Sequence, residues 1–160
     1  MTNLTEWVLL FPLLGFVLLG IFGRGMSRPA VLVIAWGAAG LAFLFAAISF
    51  LSMLQTPAGT ARLSDLVLYT WANTGSVATG VLPNAVPLNI SFGLLLDPLS
   101  ATMLMVVTGV GFLIHIYSAG YMADDEGFAR FFAYLNFFIF AMVLLVSADN
   151  FLFLLVGWAL

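Results

Sequence analysis

Four stretches of the chain, 4–22, 30–54, 98–117 and 131–147, are almost free of charge and each is about as long as a bilayer is thick. At 1.5 Å per helical residue, nineteen residues reach roughly 29 Å, against a hydrocarbon core of ~30 Å. A helix buries its own backbone hydrogen bonds, so it is the structure such a run adopts in lipid. Composition points the same way. Apolar residues make up 64% of the chain and charged ones 7%, against roughly 45–50% and ~25% in soluble domains. A water-soluble globular domain is excluded. The expected fold is therefore all-α, a polytopic transmembrane helical bundle of four full spans plus the start of a fifth.

The turns between spans carry local signals. Glu6 precedes the first apolar run while Arg24 and Arg28 follow it, the reverse of a secretory signal peptide. Pro12 lies inside that run, which is tolerated where neighbouring helices cover the freed carbonyl. Between the first two spans, Ser27 and Pro29 read as an N-cap and a first-turn proline. Gly37, Ala38, Ala39, Gly40 and Ala42 suit close helix packing in the second span. Residues 55–96 turn to Thr, Asn, Pro and Gly, and read as an extramembrane loop. Within it, 65–71 and 87–92 partly alternate, so a short β-hairpin is expected, with Tyr69 and Trp71 suited to the headgroup belt.

Asp97-Pro98 is a helix start, with Asp as cap and Pro in the first turn. Asp124, Asp125, Glu126 and Arg130 make the next connection water-facing, with the acids placed before a helix N-terminus. Asp149 and Asn150 read as caps of a fifth helix, 151–160, which is too short to cross. The expectation is an N-terminal piece of a longer protein, since a carboxylate in mid-bilayer is costly. Leu152, Val156 and Ala159 fall on one face, by which this helix is expected to pack.

Charge sets the orientation. Three of the four basic residues, Arg24, Arg28 and Arg130, fall on one side and Arg62 on the other. The positive-inside rule then puts the N-terminus and the 55–96 loop outside, in a multi-pass protein of the bacterial inner membrane. A net charge of -3 with no lysine gives no footprint for nucleic acid; the lipid bilayer is the expected surrounding.

Candidate functional residues lie on the third and fourth spans. Ser100, Thr108, Gly111, His115 and Ser118 recur at helical spacings and share one face, as do Ala133, Asn136, Val143 and Ser147. A polar stripe in lipid faces a protein interior or a water path, and a histidine on it is a candidate for proton exchange. The plainer reading is preferred: His115 hydrogen-bonds a backbone carbonyl or hydroxyl, and Asn136 bonds across helices. Thr108 and Ser118 complete the candidate set. No cysteine, metal-ligand spacing, phosphate loop or nucleophile elbow occurs, so no catalytic, cofactor-binding or metal residue is expected.

Leu96-Asp97-Pro98-Leu99-Ser100, the run from Val106 to Ser118, and Gly120-Tyr121-Met122 together resemble the third-helix region of the NADH-quinone oxidoreductase subunit L family. Arg130 to Asn136, Ala148-Asp149-Asn150 and Val156-Gly157-Trp158 are similar to its fourth and fifth helices. This is the distal antiporter-like membrane subunit of respiratory complex I, related to Mrp-type sodium/proton antiporters and energy-converting hydrogenase subunits. The resemblance implies proton translocation coupled to quinone reduction, in a complex whose other membrane subunits are the partners. It also implies that NADH, FMN, iron-sulfur clusters and quinone are held by partner subunits and none by this chain. After Gly157-Trp158 the family pattern has a glutamate proposed to pair with a lysine; here the position is Ala159. The alternatives are the same portion of an Mrp-type antiporter or hydrogenase-linked subunit, or a truncated structural fragment that moves no ions.

Overall fold

The computed structural model describes residues 4–55, 64–73 and 89–160. Helices α1 (Leu4–Phe22) and α2 (Arg28–Leu54) are joined by a single 3-10 turn, Gly23–Gly25; strands β1 (Ser64–Asn73) and β2 (Asn89–Leu96) follow; then come α3 (Pro98–Tyr121), α4 (Phe128–Ser147) and α5 (Phe151–Ala159). Four of these helices, α1 to α4, are long and apolar enough to cross a membrane. The bundle of four spans, a short fifth helix and a hairpin is the architecture that the apolar and alternating runs imply.

Boundaries differ by a few residues. α2 begins at Arg28, and Ser27 stands at its N-cap without a side-chain bond, the Pro being in the first turn as expected. α3 continues four residues past the predicted end at Tyr117, and α4 starts three residues before Phe131. Both extensions use aromatic contacts one turn apart, Tyr117 stacked on Tyr121 and Phe128 tilted against Phe132. Asp124, Asp125 and Glu126 are exposed. None of them caps α4, whose N-cap is Gly127; Asp125 Oδ1 instead accepts from the Gly127 N–H.

Packing follows the small residues. In α2, Ala35, Ala38, Ala39, Ala42, Ala46 and Ser49 are buried at three- and four-residue intervals, one continuous stripe. α1 and α3 pack against α2, and α4 closes the bundle against α1. Between α2 and α3, a glycine on each helix faces a phenylalanine on the other. A Cβ at Gly40 would lie 3.2 Å from the Phe112 ring and one at Gly109 3.0 Å from the Phe43 ring. Those two rings stack at 6.4 Å. Gly37, from the same predicted cluster, faces open space. Pro12 is buried inside the bundle, where neighbouring helices cover it.

β1 and β2 pair antiparallel from Ser64↔Leu96 to Asn73↔Asn89, the register shifting between Val67 and Tyr69 and between Thr70 and Ala72. The strands run past the alternating segments, because Ser64, Ala72 and Asn73 join β1 and 93–96 join β2, while 87 and 88 lie outside the described residues. The connection carrying Gly75, Gly80 and Pro83 lies outside the described residues, as do Arg62 and the Trp71 side chain; Tyr69 is exposed. The hairpin is held on the bundle by the α4–α5 turn. Leu94 bridges Ala148, Phe92 meets the Phe153 ring edge-on at 5.0 Å, and Ser91 Oγ donates to Asp149 Oδ2 at 3.0 Å.

Asp97 joins β2 to α3. Its carboxylate accepts from the Ser100 N–H, while its own N–H donates to Ser100 Oγ, a reciprocal box around Pro98. Hydrogen bonding from Ser100, side chain first and backbone second, holds the Asp97 carboxyl below the usual carboxylate value. A depressed folded value means the contribution is complete above the unfolded pKa of ~3.9 and lost as pH falls through the folded one. Asp97→Ala is expected to cost about 1 kcal/mol. Thermal unfolding of the detergent-solubilised chain should show Asp97→Asn nearly as stable at pH 7 yet less sensitive to acid. Equal acid sensitivity in the parent and Asn forms would remove Asp97 as the titrating cap.

Candidate functional site: the buried polar face of α3 and α4

The structure gathers the predicted polar residues into the bundle interior. Ser100, Thr108, Gly111, His115 and Ser118 are all among the buried residues of α3, and Ala133, Asn136, Val143 and Ser147 among those of α4. Thr108, His115, Asn136 and Ser147 are fully buried. Most are satisfied within their own helix. Thr108 Oγ1 donates to the Leu104 carbonyl and Ser147 Oγ to the Val143 carbonyl, each at 2.6 Å and one turn back.

His115 and Asn136 follow the same rule halfway. His115 Nδ1 lies 2.8 Å from the Gly111 carbonyl oxygen. A carbonyl only accepts, so Nδ1 carries the proton and Nε2 of the neutral ring is an acceptor. Asn136 Nδ2 donates to the Phe132 carbonyl at 3.0 Å. His115 Nε2 and Asn136 Oδ1 are then the two buried side-chain polar atoms without a partner among the described residues. Both are acceptors, and each such orphan costs about 1–3 kcal/mol.

Neighbouring helices approach both residues. The His115 ring lies 5.9 Å from the Phe132 ring, and Trp36 Nε1 on α2 donates to the His115 carbonyl at 3.1 Å. Asn136 reaches from α4 to Gly15 on α1. A Cβ built at Gly15 would stand 2.9 Å from Asn136 Oδ1 and 2.7 Å from Ala38 Cβ. Gly15 is thus the seat of the asparagine, a role that the polar stripe alone did not disclose. Its one sequence signal is a glycine flanked by Leu and Phe in the middle of a span.

The helix-start residues divide. Asp97 caps α3 as predicted, and Asn150 caps α5, its Oδ1 accepting from the Phe153 N–H at 2.9 Å. Asp149 does not cap. It stands one position before the N-cap and spends its two oxygens on Ser91 Oγ and Asn150 Nδ2, because the hairpin reaches it first. The face of α5 also differs from expectation. Phe153 and Gly157 are its buried residues, whereas Leu152, Val156 and Ala159 are exposed. Glycine decides this, since only a residue without Cβ lets α5 approach the Leu145 backbone.

These features define a class: a multi-pass helical membrane segment with an uncharged polar interior and a hairpin fastened at one end. The particular likeness is closer. Residues 84–132 match the family described as NADH-Ubiquinone oxidoreductase (complex I), chain 5 N-terminus. The NADH-quinone oxidoreductase subunit L of Escherichia coli K12 is 44% identical over 157 residues, 98% of this chain and 23% of that protein. The subunit L of Rhodobacter capsulatus is 40% identical over 97% of the chain and 20% of its own length. The NADH-ubiquinone oxidoreductase chain 5 of Dictyostelium discoideum is 36% identical over 94% and 20%. Along nearly its whole length the chain matches the N-terminal part of subunit L proteins, spanning less than a quarter of each of these three relatives.

Proposed function

We propose that this chain supplies the first helices of a proton-translocating membrane subunit of an NADH-quinone oxidoreductase. The observation that carries the reading is the match to subunit L over 98% of the chain. In this reading the chain holds no redox group, and FMN, iron-sulfur clusters and quinone sit on partner subunits. Other membrane subunits of the complex are its partners. The Arg24, Arg28 and Arg130 end faces the cytoplasm and the hairpin end faces outside, as the positive-inside rule requires; the three arginines do line one cavity at one end of the bundle. Ala159, where the family has a glutamate, leaves α5 without a titratable group.

The test is co-purification. A tagged form of the subunit should carry NADH-quinone reductase activity with it; recovery with a small antiporter assembly and no NADH oxidation would overturn the reading.

Within that complex His115 acts by packing. Glutamine can donate to the Gly111 carbonyl as Nδ1 does, whereas leucine removes that side-chain bond. His115→Gln should keep the rate of NADH-driven proton translocation within about two-fold of the parent, a barrier change below about 1 kcal/mol. His115→Leu should lower the amount of assembled complex. Loss of translocation in a normally assembled Gln form would make His115 a proton carrier instead.

A further inference from the structure

At the arginine end, two cavities meet. One is lined by Arg28, Asp125 and Glu126 as well as by Arg24 and Arg130, and so holds charges of both signs. The other, about 380 Å³, opens between α1 and α4 and includes no carboxylate. Its polar end is formed by Arg24 and Arg130, and its apolar length by Phe16, Gly20, Ala133 and Tyr134.

The chain brings the two guanidinium-bearing residues together by a close helix approach. Gly23 lies where a Cβ would come 3.0 Å from Ala129 Cβ, and Arg24 and Arg130 are the next residues on each side. Arg28 is occupied, lying over the Phe128 ring at 5.6 Å. Arg24 and Arg130 make no ion pair among the described residues. Gly20, on the apolar stretch, has nothing within 4 Å of where its Cβ would be. The groove thus runs from two unpaired cations at the end of the spans onto an open apolar surface one turn further into the membrane.

We propose that this groove between α1 and α4 holds one anionic phospholipid, its phosphate between Arg24 and Arg130 and an acyl chain along Phe16, Gly20, Ala133 and Tyr134. Guanidinium forks match phosphate oxygens in pairs, and basic pockets between spans at the cytoplasmic side take acidic head groups. A free phosphate would satisfy the arginines alone and leave the apolar half unused. A zwitterionic lipid would fill the apolar half but bring its own cation to two others.

The test is native mass spectrometry of the purified full chain, delipidated in detergent and offered equal amounts of phosphatidylglycerol and phosphatidylcholine with identical acyl chains. Retention of one phosphatidylglycerol per chain in at least five-fold excess is expected; equal retention overturns the proposal. R24Q with R130Q should bring the two lipids to parity, and Gly20→Leu should lower the phosphatidylglycerol adduct about five-fold with both arginines present. An unchanged adduct in either form, at helix content equal to the parent by circular dichroism, overturns it as well. Millimolar glycerol 3-phosphate should not displace the lipid; displacement would assign the arginines to a free phosphate. In native membranes, Gly20→Cys carrying a benzophenone should label lipid, and a crosslink to a protein segment would show that a helix covers the groove instead.

Discussion

Alanine at Gly157 is expected to detach α5 from α4. The new Cβ would fall 2.7 Å from the Leu145 nitrogen and 2.9 Å from its Cα. Both are backbone atoms of a neighbouring helix, so no rotamer change relieves the overlap and one helix must move. α5 has little to hold it in return. Its nine residues are too few to be helical alone, and only Phe153 and Gly157 are buried. Overpacking of this kind costs about 1–3 kcal/mol, comparable with what one buried phenylalanine contributes. The Phe153 contact with Phe92 and Leu144 should loosen with it, since these residues share one apolar cluster. A cysteine pair at Leu144 and Phe153 reports the approach: oxidative crosslinking should be efficient in the parent and several-fold weaker with Gly157→Ala. Undiminished crosslinking would show that α5 does not depend on this glycine.

The same position shows where the sequence was legible and where it was not. Spans were legible because hydropathy and length determine them in lipid. The hairpin was legible in outline from two alternating runs, and the polar faces of α3 and α4 from spacing alone, because 100° per residue places Thr108, Gly111, His115 and Ser118 together whatever they pack against. Partner choice was not legible. Whether α5 presents Ala159 or Gly157 to α4 turns on how closely two backbones approach, which periodicity does not encode. The position of Asp149 just before a helix likewise suggests a cap. Its true partner, Ser91, lies 58 residues away, and a local rule weighs only neighbours in sequence. Trp36 reaching the His115 carbonyl had no sequence signal.

Gly15→Ala is expected to disturb the bundle at its centre, and here the cause can be partitioned. The added methyl meets two groups, Ala38 Cβ at 2.7 Å and Asn136 Oδ1 at 2.9 Å. Ala38 is part of a helix stripe and moves only with α2. Asn136 can rotate away, but then Nδ2 leaves the Phe132 carbonyl and the buried amide loses its one bond, at about 1–3 kcal/mol. Together these place the cost of Gly15→Ala at roughly 2–4 kcal/mol, read as the midpoint shift of unfolding in a denaturing detergent. Ala38→Gly removes the first overlap and Asn136→Ala the second. Each should recover part of the loss when combined with Gly15→Ala, although Asn136→Ala alone removes a bond that the parent makes. A double-mutant cycle separates the terms, because residues in contact couple by about 0.5–3 kcal/mol while distant ones add. Coupling of Gly15→Ala to both partners is expected. Strict additivity with Ala38→Gly and with Asn136→Ala would show that α1 does not pass this close to α2 and α4, and that the asparagine is seated by something other than the missing Cβ at Gly15.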